Sequence, residues 1–243
     1  MIDIKTLNKK SLIDFIISQG EPKFRASQIF EWVWKKGVSS FEEMSNISRE
    51  TKVLLSEHFT IQKPIIDEVR ISRDRTRKYA FRLHDDLLIE GVIIPSSDRT
   101  TACISSQVGC ALQCSFCATG SLGYKRNLTT GEIFDQAFIL NRESIENFGM
   151  PLSNIVLMGM GEPLQNYKNV MHAISMITSP DGMGMSTQRI TLSTAGLAPQ
   201  IKQLADDGFK CNLAVSLHSA DDNIRSEIMI INKAQPLTVL QEA

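Results

Sequence analysis

Three cysteines lie close together in the chain, at Cys110, Cys114 and Cys117, with C-x3-C-x2-C spacing. Thiolates at this spacing can hold three irons of a four-iron cluster and leave the fourth iron without a protein ligand. A structural metal site normally closes its coordination with protein side chains. The spacing therefore indicates a reactive cluster. Its open iron can bind S-adenosylmethionine through the amino and carboxylate groups, and one-electron reduction then yields an adenosyl radical.

A zinc site is the alternative interpretation, with Cys103 or a histidine as the fourth ligand. A C-x2-C pair alone does not distinguish zinc sites from redox motifs. The additional C-x3 step, directly after a predicted strand, favours the cluster. Cys103 itself is either an inert strand cysteine or a thiolate nucleophile that faces the cluster. Cys211, at the start of a later strand, is interpreted as a packing residue.

Further candidate ligands follow the predicted strands downstream. Glycines in Gly159–Pro163 let the backbone approach a ligand closely, and Glu162 can accept hydrogen bonds from an ammonium group. The alternative is a tight turn with a solvated glutamate. Ser193, Ser216 and His218 follow the next two strands, where they suit a ribose or a carboxylate, or else cap the following helices.

Glu90 is an acidic residue in an otherwise apolar predicted strand, Leu87–Ile94. A solvated strand position is the simplest interpretation. A buried carboxylate with a raised pKa would instead be a candidate general base.

Composition limits the class of protein. The 243 residues are 42% hydrophobic and 22% charged with a net charge of −1, which is ordinary for a soluble globular protein and gives no general support for a nucleic-acid partner. No apolar run is long enough for a membrane span, and the N-terminus lacks the apolar core of a signal peptide. Five cysteines, four of them clustered, indicate a reducing compartment, so we expect a cytoplasmic protein without a membrane partner.

The elements that must position these residues form three predicted regions. Residues 1–63 have helical periodicity and form an accessory domain of the size that often recruits a partner, or a mere packing appendage. Residues 64–98 read as a three-stranded antiparallel extension. This extension carries a basic run that is either a solvated strand face or a phosphate-binding edge. The basic residues, opposed within the run only by Asp74, are Arg70, Arg73, Arg75, Arg77, Lys78 and Arg82.

Residues 99–243 alternate strands with helices, which predicts a parallel α/β sheet. The predicted strands are Ala102–Ser106, Ile155–Met158, Arg189–Leu192 and Leu213–Leu217. The predicted helices are Thr130–Asn147, Tyr167–Ile177 and Ala198–Asp206. Thr129 and Glu132 offer a capping box for the first helix. Active sites of parallel barrels lie at the carboxyl ends of the strands. Four strands cannot close a barrel, so we expect an open edge and a C-terminally truncated chain.

The motifs together carry a family resemblance that spans nearly the whole chain. The segment Cys103–Cys110, followed by Cys114, Cys117 and Lys125–Leu128, resembles RlmN-type radical S-adenosylmethionine methyltransferases, which modify C2 of adenine in RNA. Other matching stretches are Gly159–Pro163, Arg189–Gly196, Leu213–His218 and Ile224–Lys233.

The resemblance implies a partial (β/α) radical-SAM barrel that holds a [4Fe-4S] cluster on the three clustered cysteines. It implies that Glu90 accepts a proton and that Cys103 resolves a protein–RNA adduct. The implied substrates are an adenosine in large-subunit ribosomal RNA and, for many members, one in tRNA, with an electron donor protein as a further partner. The implied S-adenosylmethionine contacts are Gly161, Glu162, Ser193, Ser216, Leu217 and His218.

The chain departs from this family pattern in two places. The cysteine that carries a methyl group in the family belongs to a C-terminal segment absent from these residues, and Cys211 does not occupy its place. Ile230 stands where the family pattern leads us to expect proline. We therefore expect these residues to hold the cluster and cofactor without catalysing turnover, which an adenine-methylation assay of reconstituted protein tests.

Other functions remain open from sequence. A related methyltransferase modifies C8 of adenine, although Pro163 and the strand around Glu90 favour C2. A metal-stabilised RNA-binding module and a radical enzyme acting on a small molecule are further alternatives. If RNA is the substrate, we expect the target base to be extruded from its structure, with the helical domain and strands 70–82 holding the backbone.

Overall fold

The N-terminal region is helical, as the sequence predicts. The computed structural model describes residues 1–243. The Asn8 side chain accepts the Ser11 N–H to begin the first helix, and the Ser48 side chain accepts the Thr51 N–H to begin the third. The helices are α1 (Lys9–Ser18), α2 (Lys23–Phe30, extended by a wide turn over Glu31–Lys36) and α3 (Arg49–His58), and a short parallel pair joins β1 (Ile2–Asp3) to β2 (Phe59–Thr60).

Seven strands form one mixed sheet in the spatial order β11-β10-β9-β6-β5-β4-β3. The predicted three-stranded extension is confirmed as β3 (Ile65–Ile71), β4 (Arg77–Arg82) and β5 (Leu88–Pro95), which pair antiparallel. The parallel strands are β6 (Thr100–Cys103), β9 (Asn154–Leu157), β10 (Ile190–Thr194) and β11 (Asn212–Val215). Because β5 pairs antiparallel with β6, the sheet runs without interruption across the predicted boundary between residues 98 and 99.

Helices follow the parallel strands in the predicted alternation. They are α5 (Thr130–Phe148), α6 (Tyr167–Thr178), α7 (Ala198–Asp206), α8 (Asp222–Ile228) and α9 (Leu237–Glu242). The predicted capping box of α5 is present, with Thr129 accepting the Glu132 N–H and Glu132 accepting the Thr129 N–H. A hairpin of β7 (Gln107–Gly109) and β8 (Tyr124–Asn127) encloses the short helix α4 (Ala118–Ser121).

The two faces of the sheet differ in burial. Ala102 and Ile155, which are register partners, are fully buried, whereas the neighbouring Cys103 and Val156 are partly exposed. Helix α5 packs against the buried face at β5 and β6. The other face stays partly open, and β11 forms an unpaired sheet edge as the sequence predicts.

The N-terminal helical region packs directly on α5, the helix that covers the buried face of the sheet. Trp34 is 1% exposed and meets the ring of Phe134 edge-on, with 4.9 Å between ring centroids. Lys5 and Asp135 form a fully buried ion pair between the N-terminal segment and α5. These contacts make one continuous hydrophobic core of the two regions. None of the helices combines the length and apolarity that crossing a membrane requires.

Candidate functional site

The cysteine loop lies between β7 and α4 and is held by the β7–β8 hairpin. Gly109 has a φ of +77°, and a Cβ there would lie 1.7 Å from the carbonyl oxygen of Gly123. The Cys110 N–H donates to that same oxygen at 3.2 Å. Only glycine therefore permits the approach that fixes the first cysteine of the loop.

A cavity of about 380 Å³ opens where the cysteine loop meets the carboxyl ends of β9, β10 and β11. The sequence-predicted residues that the structure brings together around it are Cys110, Cys114, Cys117, Gly161, Glu162, Ser193, Ser216 and His218. The other wall residues include Phe116, Met158, Ala195 and Met229. This gathering at strand ends is the arrangement that the α/β alternation predicts.

The cysteine thiols are partly shielded from water. Burial raises the pKa of the Cys110 and Cys114 thiols. A bound metal deprotonates a coordinating thiol, so loading this loop would release protons. No three acidic, histidine or cysteine side chains are arranged around a single ion position. A four-iron cluster does not require such an arrangement, because each cysteine binds a different iron.

Glu162 is buried, 3% exposed, so a solvated turn glutamate is the wrong interpretation. Its Oε2 accepts the Ala195 N–H at 2.7 Å and its Oε1 accepts the Leu164 N–H at 3.0 Å. Burial raises the pKa of this carboxyl group. The carboxylate thus ties the loop after β9 to the loop after β10, and Glu162 lines the cavity.

The remaining predicted contacts come from β10 and β11. The hydroxyl oxygens of Ser193 and Ser216 lie 3.3 Å apart across the cavity wall. His218 has a φ of +59°, and its ring packs on Phe116 of the cysteine loop with 4.3 Å between centroids. Leu217 is 44% exposed and lies outside the cavity lining, so its predicted contact remains a prediction.

Glu90 and Cys103 lie outside the lining of this cavity, on the open face of the sheet. Cys103 is the register partner of Val92, and side chains two residues apart on a strand share a face. The Glu90 side chain is 48% exposed and its Oε1 lies 2.7 Å from Nζ of Lys78. The structure therefore shows the solvated alternative for Glu90. Burial raises the pKa of the Cys103 thiol, which disfavours its thiolate in the free protein.

A second hollow of about 540 Å³ contains Glu90 and borders the cysteine loop. Its walls include Lys78 on the sheet, Thr119 on α4, and Met160, which lies between the two glycines of the loop after β9. The predicted proton acceptor and the cofactor cavity are therefore separated by the backbone around α4 and Met160.

Acidic residues that the fold brings beside the basic run on β3 and β4 pair with three of its six members. Arg70 pairs with Glu68 at 2.7 Å, and Arg82 pairs with Asp67 at 2.6 Å. Within the sequence run only Asp74 opposed these charges. Arg73, Arg75 and Arg77 have no carboxylate partner, and Arg73, at the β3–β4 turn, is a candidate phosphate contact.

Sequence reasoning missed the polar residues that hold the site loops. The buried Ser105 hydroxyl donates to the carbonyl oxygen of Glu90 at 2.6 Å and accepts the Met160 N–H at 2.8 Å. The Gln107 Oε1 accepts the Glu162 N–H at 2.9 Å. The Gln136 side chain bonds both backbone groups of Ser105. The sequence signal that could have identified these residues is a polar side chain within an otherwise apolar segment.

Comparisons with known proteins agree over the whole chain. Residues 2–61 match the ribosomal RNA large subunit methyltransferase N-terminal domain, and residues 104–243 match the radical SAM superfamily. The chain is 53% identical over 241 residues to the probable dual-specificity RNA methyltransferase RlmN of Flavobacterium psychrophilum, covering 99% of this chain and 70% of that protein. It is 46% identical to the RlmN of Geobacter sulfurreducens, covering 100% of this chain and 66% of that protein.

The fold has a solved counterpart in a radical SAM methyltransferase from Sphaerobacter thermophilus. The TM-score is 0.91 at 37% sequence identity, and the match covers 100% of this chain and 71% of the counterpart. The fold predicted from sequence is thereby confirmed. This chain belongs to the RlmN family of radical SAM methyltransferases.

Proposed function

We propose that this chain provides the [4Fe-4S] cluster and S-adenosylmethionine sites for methylation at C2 of an adenosine in large-subunit ribosomal RNA, and of an adenosine in tRNA. The reaction would pass through a methyl-cysteine intermediate whose cysteine is not among these residues. The observation that carries the proposal is the single cavity that joins the three cysteines to the polar ends of three parallel strands. The names of the relatives, dual-specificity RNA methyltransferases, support the substrate class. A cytoplasmic location and an electron donor protein belong to the same proposal.

The residues of the cavity divide into two groups. Cys110, Cys114 and Cys117 would hold the cluster, which supplies the electron that cleaves S-adenosylmethionine when both are bound. Gly161 and Glu162 would face the amino end of S-adenosylmethionine. Ser193 and the loop Ser216–His218 would bind its ribose and carboxylate, since hydroxyl and imidazole groups can donate to those oxygens.

A radical route has a chemical reason. Adenine C2 is electron-poor, so direct methyl transfer from a sulfonium is unfavourable. Glu90 would take the proton from C2, and its exposed carboxylate is open to an incoming base. Cys103, on the neighbouring strand, would attack the sulfur that links the methylene group of the base to the protein. An S–S bond would form as the S–C bond breaks, and the released carbon would take up the thiol proton to become the methyl group. The unpaired Arg73 would contact the RNA backbone.

Metal loading tests the first half of the proposal. The parent chain and a Cys114→Ala variant are reconstituted with iron and sulfide without oxygen, and iron, sulfide and zinc are measured. We expect about four irons per parent chain and loss of the cluster spectrum in Cys114→Ala. Cys211→Ala is the matched control, because Cys211 lies outside the cavity. Zinc without iron or sulfide would support the metal-stabilised RNA-binding module instead.

Cofactor cleavage and product mapping test the second half. Reduced, reconstituted protein should cleave S-adenosylmethionine to 5′-deoxyadenosine, and Cys114→Ala should not. Where methylated RNA is formed, nucleoside analysis should place the methyl group on C2 of adenine. A methyl group on C8 would assign the protein to the related reaction, and cleavage by the Cys114→Ala variant would overturn the cluster assignment.

A further inference from the structure

Arg225, on α8, is a fully buried guanidinium with no carboxylate within ion-pair distance. The residue is 0% exposed, and burial lowers the pKa of its guanidinium. Its hydrogen-bond partners are all neutral oxygens. Removing a guanidinium from water is costly unless its donors are satisfied, so these contacts must be maintained for the charge to stay buried.

Two of these contacts hold the loops that carry the candidate cofactor ligands. One terminal nitrogen donates to the carbonyl oxygen of Ala195 at 2.6 Å, in the loop after β10 and two residues beyond Ser193. The Nε donates to the carbonyl oxygen of Leu217 at 3.1 Å, between Ser216 and His218. One side chain therefore fixes the separation of the two loops on the cavity wall.

The third contact of the guanidinium is a hydrogen bond to Asn232, which fixes its orientation. The other terminal nitrogen donates to the side-chain oxygen of Asn232, which is 1% exposed. The amide nitrogen of Asn232 donates to the side chain of Asp222 at 2.8 Å and to the hydroxyl oxygen of Ser226 at 2.9 Å. These bonds fix the amide of Asn232, so its oxygen points at Arg225.

The same segment also reaches the cysteine loop. The Ser115 N–H, between the second and third cysteines, donates to the carbonyl oxygen of Ile228 at 3.0 Å. Met229 is 1% exposed and lines the cavity. Helix α8 and the turn Ile230–Lys233 thus support three walls of the cavity from outside.

We infer that Arg225 is a positioning residue for the cofactor, with Asn232 as its orienting partner. A planar guanidinium can donate in three directions at once, whereas a lysine ammonium on a flexible stem cannot reproduce this fork. The loops after β10 and β11 have no hydrogen bond to each other's backbone beyond the Ser216 N–H to Thr194. Besides the contact between the Ser193 and Ser216 hydroxyls, Arg225 therefore supplies a connection between these loops beyond the sheet. The inference rests on the proposed function, because the ligand is S-adenosylmethionine.

The test compares the parent with Arg225→Lys, Asn232→Ala and the control Arg189→Lys. Arg189 also donates to a backbone carbonyl, that of Ser153, but it lies at the opposite end of β10. Hydrogen–deuterium exchange is measured on cofactor-free protein, and S-adenosylmethionine dissociation constants on anaerobically reconstituted protein. We expect Arg225→Lys to weaken binding about tenfold, Asn232→Ala about threefold, and the control not at all.

Local exchange separates positioning from general stability. In Arg225→Lys, amides of residues 194–197 and 216–219 should exchange faster, while those of residues 159–163 and the helical region stay unchanged. A uniform rise across the sheet, or parent-like binding and exchange in Arg225→Lys, overturns the inference. Failure of the parent itself to bind S-adenosylmethionine would instead refute the proposed function, and the exchange result would still stand as a separate outcome for Arg225.

Discussion

Gly161→Ala should destabilise the protein and should also distort the cofactor cavity. Gly161 has a φ of +96°, and a Cβ there would lie 2.4 Å from the Cβ of Gln107 and 2.9 Å from its backbone nitrogen. Ordinary contact begins near 3.4 Å, and the obstructing atoms belong to or adjoin the backbone. The loop after β9 must therefore shift by about 1 Å, because a packed core cannot absorb the overlap.

The cost has two sources. A left-handed conformation costs a residue with a Cβ about 1–2 kcal/mol, and overpacking adds about 1–3 kcal/mol. The shift also breaks the hydrogen bond between the Glu162 N–H and Gln107, and it moves the carboxylate that accepts the Ala195 N–H. We expect the free energy of unfolding to fall by about 3 kcal/mol in urea titrations of cofactor-free protein, and S-adenosylmethionine binding to be lost.

Gly149→Ala provides the matched control. Gly149 ends α5 with a φ of +72°, and a Cβ there would meet nothing within 4 Å. Its substitution should cost only the conformational penalty of about 1–2 kcal/mol and leave cofactor binding intact. Equal losses of stability in the two variants, together with retained binding in Gly161→Ala, would refute the argument from the clash with Gln107.

Three further predictions concern charge. Lys5→Met leaves the buried Asp135 carboxylate unpaired and should cost about 3–5 kcal/mol. Burial raises the pKa of Asp135, so the unpaired carboxylate becomes neutral as pH falls. The difference in free energy of unfolding between the parent and Lys5→Met should therefore shrink from pH 8 to pH 4 in urea titrations. Arg126→Met should cost about 3 kcal/mol at pH 7. The hydrogen bond from Arg126 lowers the pKa of Asp85. The extra stability of the parent over Arg126→Met should therefore decline below about pH 4, where Asp85 becomes protonated. Arg73→Glu should weaken RNA binding and reduce the salt slope by about one or more, measured by fluorescence anisotropy.

Local rules predict much of this fold because each element carries its own signals. The capping box at Thr129, the cap at Ser48 and the apolar runs of the parallel strands lie within a few residues of the structures they specify. The cysteine spacing works in the same way, since three ligands on one short loop need no distant partner. The parallel strands lie in chain order in the sheet, which agrees with the preference of βαβ units for neighbouring strands.

Charge pairing could not be predicted in this way. Asp67 neutralises Arg82 because β3 and β4 pair across a turn, and a bulge between Ile66 and Glu68 shifts their register. Which acidic residue lies beside which basic residue depends on that register, and a one-residue slip would reverse every face. The positioning role of Arg225 was hidden for a related reason, because the two cavity loops that it contacts lie 8 and 30 positions away in sequence.

The antiparallel direction of β5 explains how Glu90 reaches the end of the sheet at which the parallel strands have their carboxyl ends. Cys103 pairs with Val92, and Glu90 comes two residues earlier on a strand that runs the opposite way, so it lies beyond the carboxyl end of β6. The Ser105 hydroxyl bond to the Glu90 carbonyl confirms this position.

Neighbouring strands are spaced about 4.8 Å apart, and β5 and β10 are three strands apart, so Glu90 lies roughly 15 Å from Ser193 across the open face. Cys103, on β6, lies between them. In the proposed function, a methyl group that starts at the cofactor cavity and a base held at Glu90 would meet over the strand that carries Cys103. A thiol placed there can reach the resulting adduct, whereas Cys211, near the start of β11 and outside the cavity, cannot.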